Sequence, residues 1–121
     1  MIDHICINVS DFEAARAFYT AALAPLGYSL LYTHGDDALG FGAERPIFWV
    51  IRRDPVSGGA HVALQVRDRA TVDAFHAAAL AAGGTDHGAP GLRPQYHEHY
   101  YGAFVLDADG HNIEAVCHQP S

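Results

Sequence analysis

DHICINVSDFEAARAFYTAALAPLG at residues 3–27 and AHVALQVRDRATVDAFHAAALAAGG at residues 60–84 align without a gap, at the constant offset that carries His4 onto His61. Val9/Val66, Asp11/Asp68, Ala17/Ala74, Phe18/Phe75, Ala21/Ala78, Ala22/Ala79, Leu23/Leu80, Ala24/Ala81 and Gly27/Gly84 also coincide. The chain reads as two copies of one supersecondary unit, and such a repeat fixes which residues occupy equivalent places in the fold. Two histidines become symmetry mates.

In the first copy, HICINV mixes β-branched and polar residues at period two and predicts a strand. Ser10 followed by Glu13 predicts a capping box that opens a helix. Ala15, Phe18, Ala22 and Leu23 recur on one face of that helix, and Gly27 stands where a helix ends. YSLLYT (28–33), ALGFGA (38–43) and PIFWVIRR (46–53) are the next strand candidates, so the unit reads β-α-β-β-β.

The second copy repeats this order: HVALQV, a helix from about 71 to 82 closed by Gly83 and Gly84, a weak strand at 85–89, then YYGAFVLD and NIEAVCH. Ala108, Asp109 and Gly110 form a glycine-containing turn between the last two strands. Units of about 1–55 and 58–121, joined by a short link that ends in DPVSGG, make a single α+β domain.

The chain has 121 residues, of which 50% are hydrophobic and 17% charged, and holds no apolar run near 18 residues. It is expected to be a soluble, cytoplasmic protein that needs no staple and does not span a membrane. A net charge of −7, with seven arginines and no lysine, offers no basic stripe for phosphates and argues against nucleic acid as a partner. Without lysine, a Schiff base and a phosphate-loop lysine are excluded. Cys6 and Cys117 make neither a disulfide framework nor a CxxC motif, and strand alternation turns them to opposite faces.

The same alternation selects a candidate metal site. Ile5, Ile7 and Val9 should lie under the first helix, which leaves His4, Cys6 and Asn8 on the open face. Val62, Leu64 and Val66 do the same in the equivalent strand and leave His61 open. In the last strand Ile113, Ala115 and Cys117 take the helix side, so Glu114, with Asn112, Val116 and His118, faces the histidines if the two sheets join edge to edge. Two imidazoles and a carboxylate are common ligands of Zn²⁺ and form the facial triad of non-haem Fe²⁺ sites. A lone histidine or glutamate would read as a surface residue; three at pseudo-symmetric inward positions read as a site. Trp49 stands where symmetry places a partner of Glu114, so no fourth protein ligand is expected and the site is open.

The one compositional anomaly is GAPGLRPQYHEHYY (88–101), a Pro/Gly loop that runs into Tyr96, His97, His99, Tyr100 and Tyr101. His34, His76, His87, His111 and His118 read as surface residues.

Three stretches, IDHICINVSDFEAARAFYTAAL, GAHVALQV and YYGAFVLDADGHNIEAV, resemble the vicinal oxygen chelate superfamily: the glyoxalase, bleomycin-resistance and extradiol dioxygenase family. The resemblance spans nearly the whole chain. It implies two tandem β-α-β-β-β units forming a cupped mixed sheet with helices outside, one divalent metal (Zn, Fe, Mn or Ni) per chain on His4, His61 and Glu114, and a homodimer. Phe48 and Trp49 replace the acidic residue that glyoxalase I usually carries on its fourth strand, which counts against methylglyoxal as substrate. The absence of lysine counts against the phosphonate thiol transferases.

In this superfamily the metal stabilises an oxyanion on two neighbouring substrate oxygens. A proton shuttle is then needed within hydrogen-bond reach. His97, His99 and Tyr101 are the candidates for that role, with Trp49, Tyr100 and Phe104 as substrate-binding wall. Two hypotheses follow: a metal-dependent isomerase, lyase or ring-cleaving dioxygenase on a small oxygenated substrate, or a metal-free protein that binds a small molecule without chemistry.

Overall fold

The computed structural model describes residues 1–56 and 59–121; residues 57 and 58, in the expected link and at the expected start of the second unit, lie outside the described residues. The elements run β1 (Ile5–Val9), α1 (Phe12–Leu23), β2 (Ser29–His34), β3 (Ala38–Gly42), β4 (Phe48–Arg52), β5 (His61–Gln65), α2 (Arg69–Ala81), β6 (Thr85–Leu92), β7 (Tyr101–Leu106) and β8 (Asn112–Cys117). Each unit forms its own four-stranded mixed sheet, in the orders β1-β4-β3-β2 and β5-β8-β7-β6. In both, the first and last strands pair in parallel and the others antiparallel. This is the α+β architecture of two tandem units that the repeat implies.

The helices form for the reasons that the repeat contains, with one correction at the first cap. Asp11 caps α1, accepting from the Ala14 amide at 3.0 Å, and its repeat mate Asp68 caps α2, accepting from the Thr71 amide at 2.8 Å. Ser10 was the expected cap, but its hydroxyl donates to Asp109 at 2.7 Å instead. Gly27 (φ +82°) and Gly83 (φ +99°) end the helical segments in the left-handed region, after a 3-10 turn in the first unit.

Phe12, Ala15, Phe18, Tyr19, Ala22 and Leu23 of α1 and Val72, Phe75 and Ala79 of α2 are buried on one side of each sheet and against each other, in one core that spans both units. A hydrogen-bonded latch joins the units as well. Tyr19 donates to Asp107 Oδ2 at 2.6 Å, and Asp107 Oδ1 accepts from the amides of Asp109 and His111 at 2.9 and 2.8 Å. His111 Nδ1 accepts from the Ala60 amide at 2.8 Å, so the neutral ring carries its proton on Nε2 and donates to the Asn8 carbonyl at 2.6 Å. His111, expected at the surface, is 3% exposed. A polar turn residue reads as solvated from sequence, whereas here it plugs the seam between the units.

Burial alternates as expected along β1, where Ile7 and Val9 are buried toward the helices and Cys6 is exposed; in β8 Ile113, Ala115 and Cys117 are buried toward the helices, but Glu114 and Val116 on the other face are buried too. The weak strand expected at 85–89 extends to Leu92, with irregular pairing around Gly88 and Gly91, so the first third of the supposed loop is strand.

Candidate functional site

The parallel pairing of β5 with β8 sets Ala63 beside Glu114, which places His61 two residues along on the same face. The small side chain of Ala63 lets the imidazole lean across. His61 Nε2 donates to Glu114 Oε1 at 3.0 Å. Tyr100 donates its phenol hydroxyl to the other oxygen, Glu114 Oε2. A Cβ on Gly102 would stand 3.2 Å from Tyr100 Cε1 and 3.3 Å from Glu114 Oε2, so glycine makes the room for this contact. Glu114 is thus 1% exposed yet fully hydrogen-bonded, while the His61 side chain remains 54% exposed.

His61, Glu114, Tyr96, Tyr100 and Phe104 line a cavity of about 380 Å³. The Phe104 ring centroid lies 6.2 Å from that of His61. Burial raises the Tyr100 phenol above its ordinary range, the hydrogen bond and charge of Glu114 add to this, and Arg93 opposes it. Tyr100 therefore stays protonated and acts as a donor.

His4 lies apart from this group. Its Nδ1 is 2.8 Å from Asp3 Oδ1, and it shares with His61 a second cavity, of about 400 Å³, between the outer strands β1 and β5. Among the described residues, no three His, Cys, Asp or Glu side chains converge where one ion could sit. Within one chain the structure brings together two of the three expected metal ligands, His61 and Glu114.

The remaining expected residues divide in the same way. Phe104 and Tyr100 line the cavity. Trp49 sits in the other sheet, against Tyr32 with ring centroids 5.5 Å apart, and does not line the cavity with Glu114. Tyr101 is turned the opposite way: its hydroxyl donates to Asp73 of α2 at 2.6 Å, with the Arg69 guanidinium 5.1 Å from its ring. Alternation along β7 explains this, because Tyr101 shares its face with the buried Ala103 and Val105. Tyr101 is thus withdrawn from the proton-shuttle candidates.

The His99 amide donates to His97 Nδ1 at 3.0 Å, so His97 Nε2 donates to His118 Nδ1 at 2.8 Å. The Tyr100 ring packs 5.5 and 5.4 Å from these two imidazoles, which tie the loop to the end of β8. His118 is exposed as expected but engaged, and His76, also expected at the surface, is part-buried beside Asp86 at 2.9 Å.

The sequence did not single out Arg93, which lies over the cavity-facing ring of Phe104 with 5.4 Å between guanidinium carbon and ring centroid. Its only sequence signal was the pair of glycines, Gly88 and Gly91, in a stretch too poor in β-formers to read as a full strand.

A search of curated protein sequences returns no match. Among solved structures, the chain is similar to a glyoxalase/bleomycin resistance protein from Albidiferax ferrireducens T118, at 27% identity and a TM-score of 0.83, covering 97% of this chain and 98% of that one. Two more distant likenesses show the fold alone. A lactoylglutathione lyase from Agrobacterium tumefaciens matches at 18% identity and TM-score 0.70 over 97% and 92% of the two chains. TioX from Micromonospora sp. ML1 matches at 19% identity and TM-score 0.73 over 98% and 99%. The model of the Glyoxalase/Bleomycin resistance protein/Dioxygenase superfamily matches residues 1–115, and with the tandem β-α-β-β-β units this chain belongs to that superfamily.

Proposed function

We propose that this chain is a divalent-metal-dependent enzyme acting on a small substrate held through two neighbouring oxygens, as an isomerase or lyase or as a ring-cleaving dioxygenase. The observation that carries this reading is the meeting of His61 Nε2 and Glu114 Oε1, 3.0 Å apart, at the foot of an open aromatic cavity. Two donors each about 2.0–2.2 Å from one ion stand roughly 3 Å apart, so the pair has the chemistry and spacing of part of a ligand set. His4 is the third proposed ligand. Because it does not reach the pair within one chain, we infer that a second copy supplies its His4, in a homodimer.

Exposed Ile2, Leu31, Tyr32, Leu92 and Tyr96 give such a dimer apolar surface to cover. A bound ion would supply Lewis-acid stabilisation of negative charge on the substrate oxygens. Tyr100, kept protonated, holds Glu114 Oε2 and leaves Oε1 turned toward His61. Phe104 and Tyr96 offer flat apolar walls to a planar substrate. The His97–His118 tie positions the loop that delivers Tyr100, and His97 and His99 remain the candidate proton carriers at its edge. A cytoplasmic location belongs to the same reading; no described helix is long and apolar enough to cross a membrane.

One observation favours a second reading. Both oxygens of buried Glu114 are already satisfied by His61 and Tyr100, so a metal-free protein that sequesters a small molecule would leave no polar group stranded. Metal analysis of the purified protein, offered Zn²⁺, Fe²⁺, Mn²⁺ and Ni²⁺, separates the two. The enzyme reading expects about one ion per chain in the wild type and near none in Glu114→Ala and His61→Ala. A wild type that stays metal-free would refute the enzyme reading and leave the second.

A further inference from the structure

We propose that the ligand of the His61–Glu114 cavity is a planar, single-ring anion, with its oxygens toward His61 and its carboxylate received by Arg93; this rests on that cavity being the substrate site. Three flat groups share the open face of the second sheet. The His61 imidazole and the Phe104 ring are 6.2 Å apart, and the Arg93 guanidinium lies 5.4 Å from the Phe104 centroid. The guanidinium is built in: Nη1 donates to the Gly91 carbonyl and Nη2 to the Ala89 carbonyl, both at 2.8 Å. The strand makes space for it, since a Cβ at Gly91 would stand 3.2 Å from Nη1, and one at Gly88 would stand 3.2 Å from Nη2 and 2.8 Å from Phe104 Cδ1.

These contacts orient Arg93 without neutralising it. Of the five N–H donors of a guanidinium, two are used on neutral carbonyls and the rest remain. Among the described residues only Arg45 and Arg52 of the seven arginines pair with aspartates; Arg93 does not, and its guanidinium lies over a ring that lines the cavity. In a chain of net charge −7, an oriented cation left without a carboxylate beside an aromatic cavity suits an anionic ligand.

Spacing sets its size. The imidazole and guanidinium can be no more than about 12 Å apart across Phe104. Taking about 2.9 Å for a hydrogen bond at each end leaves at most roughly 6 Å, which admits one six-membered ring bearing a carboxylate and nothing longer. The Glu114 carboxylate would repel a carboxylate placed at the other end of the cavity, which fixes the orientation.

The test is calorimetric titration of the metal-supplemented protein with 3,4-dihydroxybenzoate and with 3,4-dihydroxybenzamide, which share a shape and differ in charge. Wild type should bind the benzoate at least about tenfold more tightly than the amide. Arg93→Met, with its fold checked by circular dichroism, should bring the two within twofold of each other. Equal binding by wild type, binding of neither, or a preference that survives in Arg93→Met would overturn the proposal. Metal content distinguishes this from the function reading: a wild type that holds metal but shows no preference refutes the ligand class alone, and a wild type that shows the preference without metal refutes the enzyme reading alone.

Discussion

Replacing Tyr19 with Phe removes a single oxygen from the latch that holds the two units in register. The phenol donates to Asp107 Oδ2 at 2.6 Å, and Tyr19 is 0% and Asp107 8% exposed. The ring stays packed, edge-on to Phe18 at 4.8 Å and against Phe48 at 5.3 Å, so almost no apolar contact is lost. What is lost is a hydrogen bond to a buried carboxylate, worth about 1.5–3 kcal/mol, at a position where water has little access to replace it. At roughly 2.1 cal/mol/K per residue of unfolding entropy, a chain of this size loses about 4 °C per kcal/mol. Thermal unfolding followed by circular dichroism should therefore show Tm lowered by about 6–12 °C. Tyr19 lies on the helix side of its sheet, away from the face bearing Glu114, so metal content should not change. A Tm within about 2 °C of wild type would show that Asp107 does not depend on this donor, and the latch would not be what joins the units.

Tyr100→Phe frees Glu114 Oε2 and should weaken metal binding by about 10–100-fold in a competition titration, with the fold retained; unchanged affinity would remove Tyr100 as the residue that orients Glu114. Gly27 and Gly84 are repeat mates that should respond differently to alanine. At Gly84 a Cβ would meet Val105 Cγ1 at 2.4 Å and Phe18 Cε1 at 2.6 Å, so Gly84→Ala should cost about 3 kcal/mol or more by urea unfolding. At Gly27 nothing lies within 4 Å and only the φ of +82° opposes a side chain, so the cost should be about 1–2 kcal/mol. Hydrogen bonds from Thr71, first from its side chain and then from its amide, lower the pKa of the Asp68 cap below 3.8. Its stabilisation is present above that value and lost as pH falls through the lower folded value, so the Tm gap between wild type and Asp68→Ala should close in acid. A gap that persists at pH 2 would mean that the cap does not act through its charge.

The glyoxalase-type fold was legible because the signals that define it are local. Period-two alternation in HICINV and NIEAVC, the apolar stripe of α1 and the glycines after each helix depend only on near neighbours, and an ungapped repeat doubles each of them. Even the first cap was present in the repeat: Asp11 and Asp68 coincide, whereas Ser10 has Arg67 as its mate.

Alternation also placed His61 and Glu114 on one face, and the structure pairs them. Alternation along β7 likewise turns Tyr101 toward α2, but no local pattern could bury His111 in the seam or lay Arg93 over Phe104, because each depends on what another element brings to that point. The sequence by itself determined the two units and the facing of their strands, since steric periodicity is set within a few residues. Only the tertiary structure decided that His61 meets Glu114 while His4 does not, because that depends on how the two separately hydrogen-bonded sheets are packed through their helices.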